Sequence, residues 1–165
     1  ADMVLFLAGD GEAEFVQGTL VAEESDWEGH VLKKDAAISS AYIRFKNGIH
    51  ANLVASGGWE FEVSGSKGKI RTLSNSLDYQ LRQADEHGEL KPVAVDPVEI
   101  GSGTQRGIED LARALDGAGD TMGNLELACR SQEMVFAVAE SHRLGGARVS
   151  LPLTNRQLAI APDHY

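Results

Sequence analysis

Two residues of this chain stand where their side chains could meet a substrate. Asp2 begins the short apolar stretch ADMVLFLAG (1–9), and Trp59 directly follows Gly57-Gly58. A carboxylate such as Asp2 can contact a hydroxyl or hold an imidazole in one orientation by hydrogen bonding. Taken alone it also reads as an exposed residue at a chain terminus. An indole such as Trp59 stacks on the C–H face of a sugar, and its plainer reading is a core or interface tryptophan. His50 could reach a pocket or a partner sheet; a histidine hydrogen-bonded at an interface is its plainer reading.

Other patterns promise chemistry and fail on spacing. Gly101-x-Gly103-x-x-x-Gly107 precedes a helical stretch, as a phosphate-binding loop would, but that chemistry needs a parallel βαβ unit with an acidic residue on the next strand, and a helix pair follows instead. Gly65-Ser66-Lys67-Gly68-Lys69 is too short for a nucleotide loop and has Ile70 where a hydroxyl residue belongs, so it reads as a hairpin turn. His30, His50, His87, His142 and His164 show no spacing that puts two ligands on one helix face, and one cysteine offers no zinc cluster. No Gly-x-Ser-x-Gly elbow occurs.

The elements that must position these residues follow from periodicity. Leu, Phe and Val recur at helical spacing in 1–9, with no N-cap before them, as though a helix were entered partway through a longer protein. A turn at Asp10-Gly11 leads to a strand over 12–22, then a polar loop or weak edge strand over 23–34. From Ala37 the alternation is clean: Ala41, Ile43 and Phe45 share one face, and Ser40, Tyr42 and Arg44 the other. Asn47-Gly48 predicts a two-residue hairpin. The return strand places Ile49, Ala51, Leu53 and Ala55 opposite His50, Asn52 and Val54. Trp59, Phe61 and Val63 alternate in a third strand, Gly65 to Gly68 turns the chain, and 69–73, 76–83 and 90–95 continue the meander. The period then changes to about 3.6 residues. Ile108, Leu111, Ala112 and Leu115 form one stripe ending at Gly117. A longer helix over 122–144 directs Leu125, Ala128, Met134, Val135 and Val138 inward and stops at Gly145-Gly146. A short strand, 147–151, ends at Pro152, and only Leu158 to Ala161 of the tail can pack. Strands followed by helices predict an α+β fold: a large open, predominantly antiparallel β-sheet with helices packed on one face. The uncovered face, carrying Tyr42, His50 and Val54, would leave an apolar patch, which predicts a homo-oligomer formed through it.

Composition limits the partners. At 165 residues and 42% hydrophobic, the chain reads as a single domain over 1–165 with its own core. A net charge of −10 repels a phosphate backbone, so nucleic acid is not an expected partner. No apolar run approaches the roughly 18 residues that a helical membrane span needs. The lone Cys129 cannot pair internally; it reads as a small buried helical residue in a reducing cytoplasm.

Three segments together resemble the C-terminal domain of the Gfo/Idh/MocA (glucose-fructose oxidoreductase and inositol dehydrogenase) family. They are the meander AYIRFKNGIHANLVASGGWEFEVSGSKGK (41–69), the closing helix and strand SHRLGGARVSLPL (141–153), and ADMVLFLAG itself. Asp2 matches the last residue of the family's Gly-x-His-x-x-Asp segment, whose histidine would precede residue 1. The resemblance implies a parent that joins an N-terminal Rossmann domain, binding NAD or NADP, to this substrate-binding and oligomerisation domain. It implies hydride transfer between nicotinamide and a sugar or polyol carbon. Asp2 would then orient the catalytic histidine or touch a substrate hydroxyl, and Trp59 would lie on a loop brought to the small-molecule substrate. The family's Glu-Lys-Pro lysine and its dinucleotide fingerprint are not in this sequence, so the chain alone is expected to bind no cofactor and to catalyse nothing. Two alternatives keep the fold without the chemistry: a ligand-sensing module, or a dimerisation module in which Trp59 serves assembly.

Overall fold

In the computed structural model, which describes residues 1–9, 11–96 and 101–161, alternating apolar residues become strands and the two later amphipathic stretches become helices. In chain order the elements are α1 (Asp2–Leu7), β1 (Ala13–Leu20), a 3₁₀ turn (Glu24–Asp26), β2 (Trp27–Glu28), β3 (Val31–Leu32), β4 (Ile38–Phe45), β5 (His50–Val54), β6 (Glu62–Gly65), β7 (Gly68–Leu73), β8 (Asp78–Ala84), β9 (Leu90–Val93), α2 (Gly103–Leu115), α3 (Leu125–Arg143), β10 (Val149–Ser150) and β11 (Ala159–Ile160). The class is α+β. Two four-stranded sheets, ordered β10-β1-β4-β5 and β6-β7-β8-β9, are antiparallel throughout, and a small third sheet is ordered β11-β3-β2 with one parallel pair. The chain divides into two compact units, residues 1–55 with 123 onward, and residues 56–122.

The first unit holds the core. Val16, Leu20, Ala41, Ile43 and Phe45 point from β1 and β4 toward Met134, Ala137 and Val138 of α3, and all are buried. Full burial of each large side chain is worth about 1.5–3 kcal/mol. Helix and strand approach so closely at Gly18 that a Cβ there would lie 2.8 Å from the Ser40 carbonyl oxygen and 3.1 Å from Val138. That approach lets the buried Ser141 hydroxyl accept the Gly18 N–H at 2.9 Å and donate to the Ala147 carbonyl at 2.6 Å. Beside it, His142 Nδ1 accepts the Leu20 N–H at 3.3 Å while its ring stacks on Trp27. The end of α3 is thus latched to the strand it covers, and β10 adds to the other edge of β1.

Three expectations change in this unit. The β4–β5 turn has three residues, not two: Phe45 N–H bonds the Ile49 carbonyl, Gly48 N–H bonds the Phe45 carbonyl, and Gly48 alone takes a left-handed φ of 92°. Asn47 needs no such φ because its side chain works elsewhere, accepting the Ile49 N–H and donating to the Ala8 carbonyl. The inward stripe of α3 keeps the expected Met134 and Val138 but differs toward the helix start. Leu125, 79% exposed, and Ala128 face outward, while Leu127, Ser131, Met134, Val138 and Ser141 face the sheet. Two serines in that seam hide it from a reading based on hydrophobicity. For the same reason Cys129, expected to be buried, is exposed.

The second unit is a meander whose faces differ sharply. Val63, Ile70, Leu81 and Val93 are successive register partners, so one apolar row crosses all four strands. Adjacent rows on the opposite face carry the ion pairs Lys69–Glu62 at 3.0 Å and Arg71–Glu60 at 3.2 Å. The β6–β7 hairpin forms at Gly65 and Gly68, where the sequence predicts it. Strand β6 begins only at Glu62, so Trp59 and Phe61 precede it rather than alternating within it. Helix α2 is capped by Ser102, whose hydroxyl accepts the Gln105 N–H, and its stripe of Ile108, Leu111 and Leu115 is exposed.

Candidate functional site

Asp2 occupies the first turn of α1, a six-residue helix with no side-chain cap. Such a helix is too short to persist by itself and must be held by its neighbours. Leu5 and Ala8 sink into the core; of the expected Asp10-Gly11 turn, Asp10 lies outside the described residues, and the residues on either side of it are anchored. Asn47 Nδ2 donates to the Ala8 carbonyl at 3.2 Å, and Arg130 Nη2 of α3 donates to the Gly11 carbonyl at 2.7 Å. Gly11 lies so near Asn47 that a Cβ would come within 2.6 Å of its amide nitrogen. Asp2 itself is exposed, with its carboxylate at the solvent-facing start of the helix.

Near the other end of α1 is a cleft of about 390 Å³, lined by Leu5, Glu12, Lys46, Arg130, Glu133 and Met134 among others. Its charges are used internally. Lys46 pairs with Glu12 and holds that carboxyl below the usual carboxylate range. Glu133 accepts the Leu153 N–H at 3.0 Å and lies 3.5 Å from Arg156. Asp2 does not line this cleft.

Trp59 belongs to the second unit, on the loop between β5 and β6, and is 76% exposed. Its backbone is nonetheless fully held. The Trp59 N–H donates to Asn75 Oδ1 at 3.1 Å, and its carbonyl accepts from the Ser76 hydroxyl at 2.6 Å. Two residues on, the Phe61 N–H donates to the Thr72 hydroxyl at 2.8 Å. Asp2 and Trp59 therefore rest on separate supports in separate units.

His50 and Tyr42 lie on the outward face of the first sheet, as the alternation predicts, and their rings stack at 5.9 Å. The row continues through Phe15, 5.8 Å from Tyr42, to the Arg148 guanidinium, 3.6 Å over the Phe15 ring. Val54 beside it is 74% exposed, and Arg44 is turned back on the Gly48 carbonyl. Phe15 and Arg148 were not singled out by the sequence reading; the alternation of β1 could have placed Phe15 on this face.

The sequence reading also missed a buried polar cluster. Glu140, 6% exposed, accepts two bonds of 2.8 Å from Arg143 and one of 3.1 Å from Asn155, whose amide also meets His30 at 3.2 Å. The Arg143 hydrogen bonds hold the Glu140 carboxyl below its ordinary range against the opposing effect of burial. These contacts fasten the C-terminal tail to α3.

Among the described residues, Gly103 and Gly107 of the glycine run lie within α2 and an antiparallel meander, not a parallel βαβ unit, comes before it; Pro97 to Ile100 lie outside the described residues. Among the described residues, no three His, Cys, Asp or Glu side chains group as metal ligands.

Comparison with known proteins places this geometry. Residues 1–151 match the Gfo/Idh/MocA family model described as "Oxidoreductase family, C-terminal alpha/beta domain". No curated protein matches the chain significantly. Among solved structures, the aldose-aldose oxidoreductase of Caulobacter crescentus complexed with glycerol is similar at 16% identity and a TM-score of 0.67, over 91% of this chain and 44% of that one. The WlbA dehydrogenase of Bordetella pertussis, in complex with NADH and UDP-GlcNAcA, is similar at 17% identity and a TM-score of 0.61, over 92% and 44%. A levoglucosan dehydrogenase in complex with NADH and L-sorbose is similar at 21% identity and a TM-score of 0.61, over 92% and 48%. The chain thus spans under half the length of these relatives, and at such identities the likeness is one of fold.

Proposed function

The chain belongs to the Gfo/Idh/MocA oxidoreductase family, as its C-terminal α/β domain, and we propose that its parent is an NAD- or NADP-dependent dehydrogenase of a sugar, polyol or related hydroxyl compound. The observation that carries this is a family match running from residue 1 to residue 151, so that Asp2 and Trp59 both fall inside it. In this reading residues 1–165 form one substrate-binding domain, the nicotinamide is held by an N-terminal Rossmann domain, and the protein works in the cytoplasm. When bound, the nicotinamide would accept a hydride from the carbinol carbon. The exposed carboxylate of Asp2 can accept a hydrogen bond from an imidazole or from the substrate hydroxyl, fixing the group whose proton must leave. The indole of Trp59 offers a flat apolar surface to the C–H face of the ring.

The test is an assay of the full-length parent against a panel of sugars and polyols with each nicotinamide, followed by absorbance of the reduced cofactor. Asp2→Asn should lower kcat about ten- to a hundredfold, as removal of a group that orients an imidazole does. Absence of turnover with every panel member, while sugars still bind, would establish the ligand-sensing alternative instead.

The outward face of β1, β4 and β5 is proposed as the homo-oligomer interface. Its support is the Arg148–Phe15–Tyr42–His50 row together with exposed Val54, an apolar and aromatic strip with a cationic end. Light scattering at micromolar concentration should show a dimer or larger assembly that Tyr42→Glu dissociates. A clean monomer removes the proposal.

A further inference from the structure

Three consecutive residues in the β7–β8 turn, Ser74, Asn75 and Ser76, have left-handed φ angles of 52°, 56° and 68°. Glycine takes this conformation freely, asparagine tolerates it, and serine adopts it only against a steric penalty. Elsewhere among the described residues every left-handed position is a glycine. Retention of three side chains here therefore calls for a use, and two of the three have one. Asn75 Oδ1 takes the Trp59 N–H at 3.1 Å, and the Ser76 hydroxyl donates to the Trp59 carbonyl at 2.6 Å while lying 3.2 Å from Thr72 Oγ1. The clasp is closed from the other side as well. Ser56 Oγ donates to the Gly58 carbonyl, and Gly58 is bare where a Cβ would lie 2.9 Å from Asn75 Oδ1.

A strained turn thus grips both backbone polar groups of one residue, Trp59, whose side chain touches solvent. Burial does not explain it, because the indole is exposed, as is Leu77 in the same turn. Left-handed strain persists where surroundings over-determine it, and such places gather at ligand clamps. Fixing the backbone beneath an exposed aromatic ring removes in advance part of the ordering cost that binding would otherwise incur. We infer that Asn75 and Ser76 are positioning residues: they hold Trp59 at one place and angle so that its indole can stack on the substrate ring. The inference rests on the substrate role proposed for Trp59 above.

The test separates the two. In this 165-residue chain a Trp27→Phe background leaves Trp59 as the one indole, and time-resolved fluorescence anisotropy then reads its local motion. Should that background fail to fold, 5-fluorotryptophan labelling of the unsubstituted chain resolves the two indoles by fluorine NMR. The double variant Asn75→Gly, Ser76→Gly removes both side-chain bonds and relieves the strain at those two positions. Expected are an unchanged or raised thermal midpoint and a clear gain in indole mobility, with Asn75→Asp, which keeps the acceptor, remaining as rigid as the parent. In the full-length enzyme the double variant should raise KM about two- to tenfold with kcat little altered, the size expected for one immobilised side chain. Unchanged indole mobility in the glycine variant overturns the inference. Raised mobility with no change in KM upholds the clasp and overturns the substrate role of Trp59.

Discussion

The two units of this molecule are built from similar amounts of antiparallel sheet and differ in what covers it. In the first, a 19-residue helix lies on β1 and β4, and every fully buried hydrophobic residue among those described belongs to this unit. In the second, none of the described residues is fully buried: the apolar row from Val63 to Val93 is half-exposed and α2 keeps its stripe in solvent. One unit is held by packing, the other by ladder hydrogen bonds and surface ion pairs. The difference teaches that the same alternating pattern yields a core only where a helix of matching phase closes over it.

Mutations can break that comparison. Phe45→Ala empties a wholly buried site in the first unit and should cost about 3–5 kcal/mol in a urea melt, whereas Ile70→Ala in the second should cost under about 1 kcal/mol. Comparable losses at the two sites would mean that the second unit is packed in solution as tightly as the first. Ser141→Ala leaves the Gly18 N–H and the Ala147 carbonyl without partners and should cost about 1–3 kcal/mol, more than an exposed serine such as Ser66.

Acid sharpens the contrast further. Because the folded-state pKa of Glu140 lies below its ordinary value of 4.5, its contribution is complete above that pH and is lost as the pH falls through the depressed folded value. Glu140→Gln should therefore be less stable than the parent at neutral pH, with the gap closing in melts on acidification. The smallest effect is expected at Lys69→Ala, about 0–1 kcal/mol and fading with salt, since its pair with Glu62 is open to water.

Legibility in the sequence followed the range of the interaction. The meander from β4 to β9 could be read because alternation and turn glycines act between near neighbours, and the Gly65–Gly68 hairpin appeared where expected. The β4–β5 turn was read one residue too short because Asn47, a good turn residue, is engaged with the Ala8 carbonyl 39 positions away. On α3 the pattern places Met134 and Val138 correctly in the core but misplaces Leu125 and Ala128, because Ser131 and Ser141 complete the seam where hydrophobic residues are expected. Of the site, Asp2 and Trp59 could be named from motif and resemblance. The residues that support them, Asn47 and Arg130 on one side and Asn75 and Ser76 on the other, could not.

What the amino-acid order decided unaided was the class of each segment, because period and turn chemistry are set by residues two to four apart. Folding in three dimensions decided which side of α3 is inside, that Gly18 must lack a side chain, and that a strained turn grips Trp59. Those outcomes depend on partners up to 123 positions distant, whose meeting no local pattern encodes.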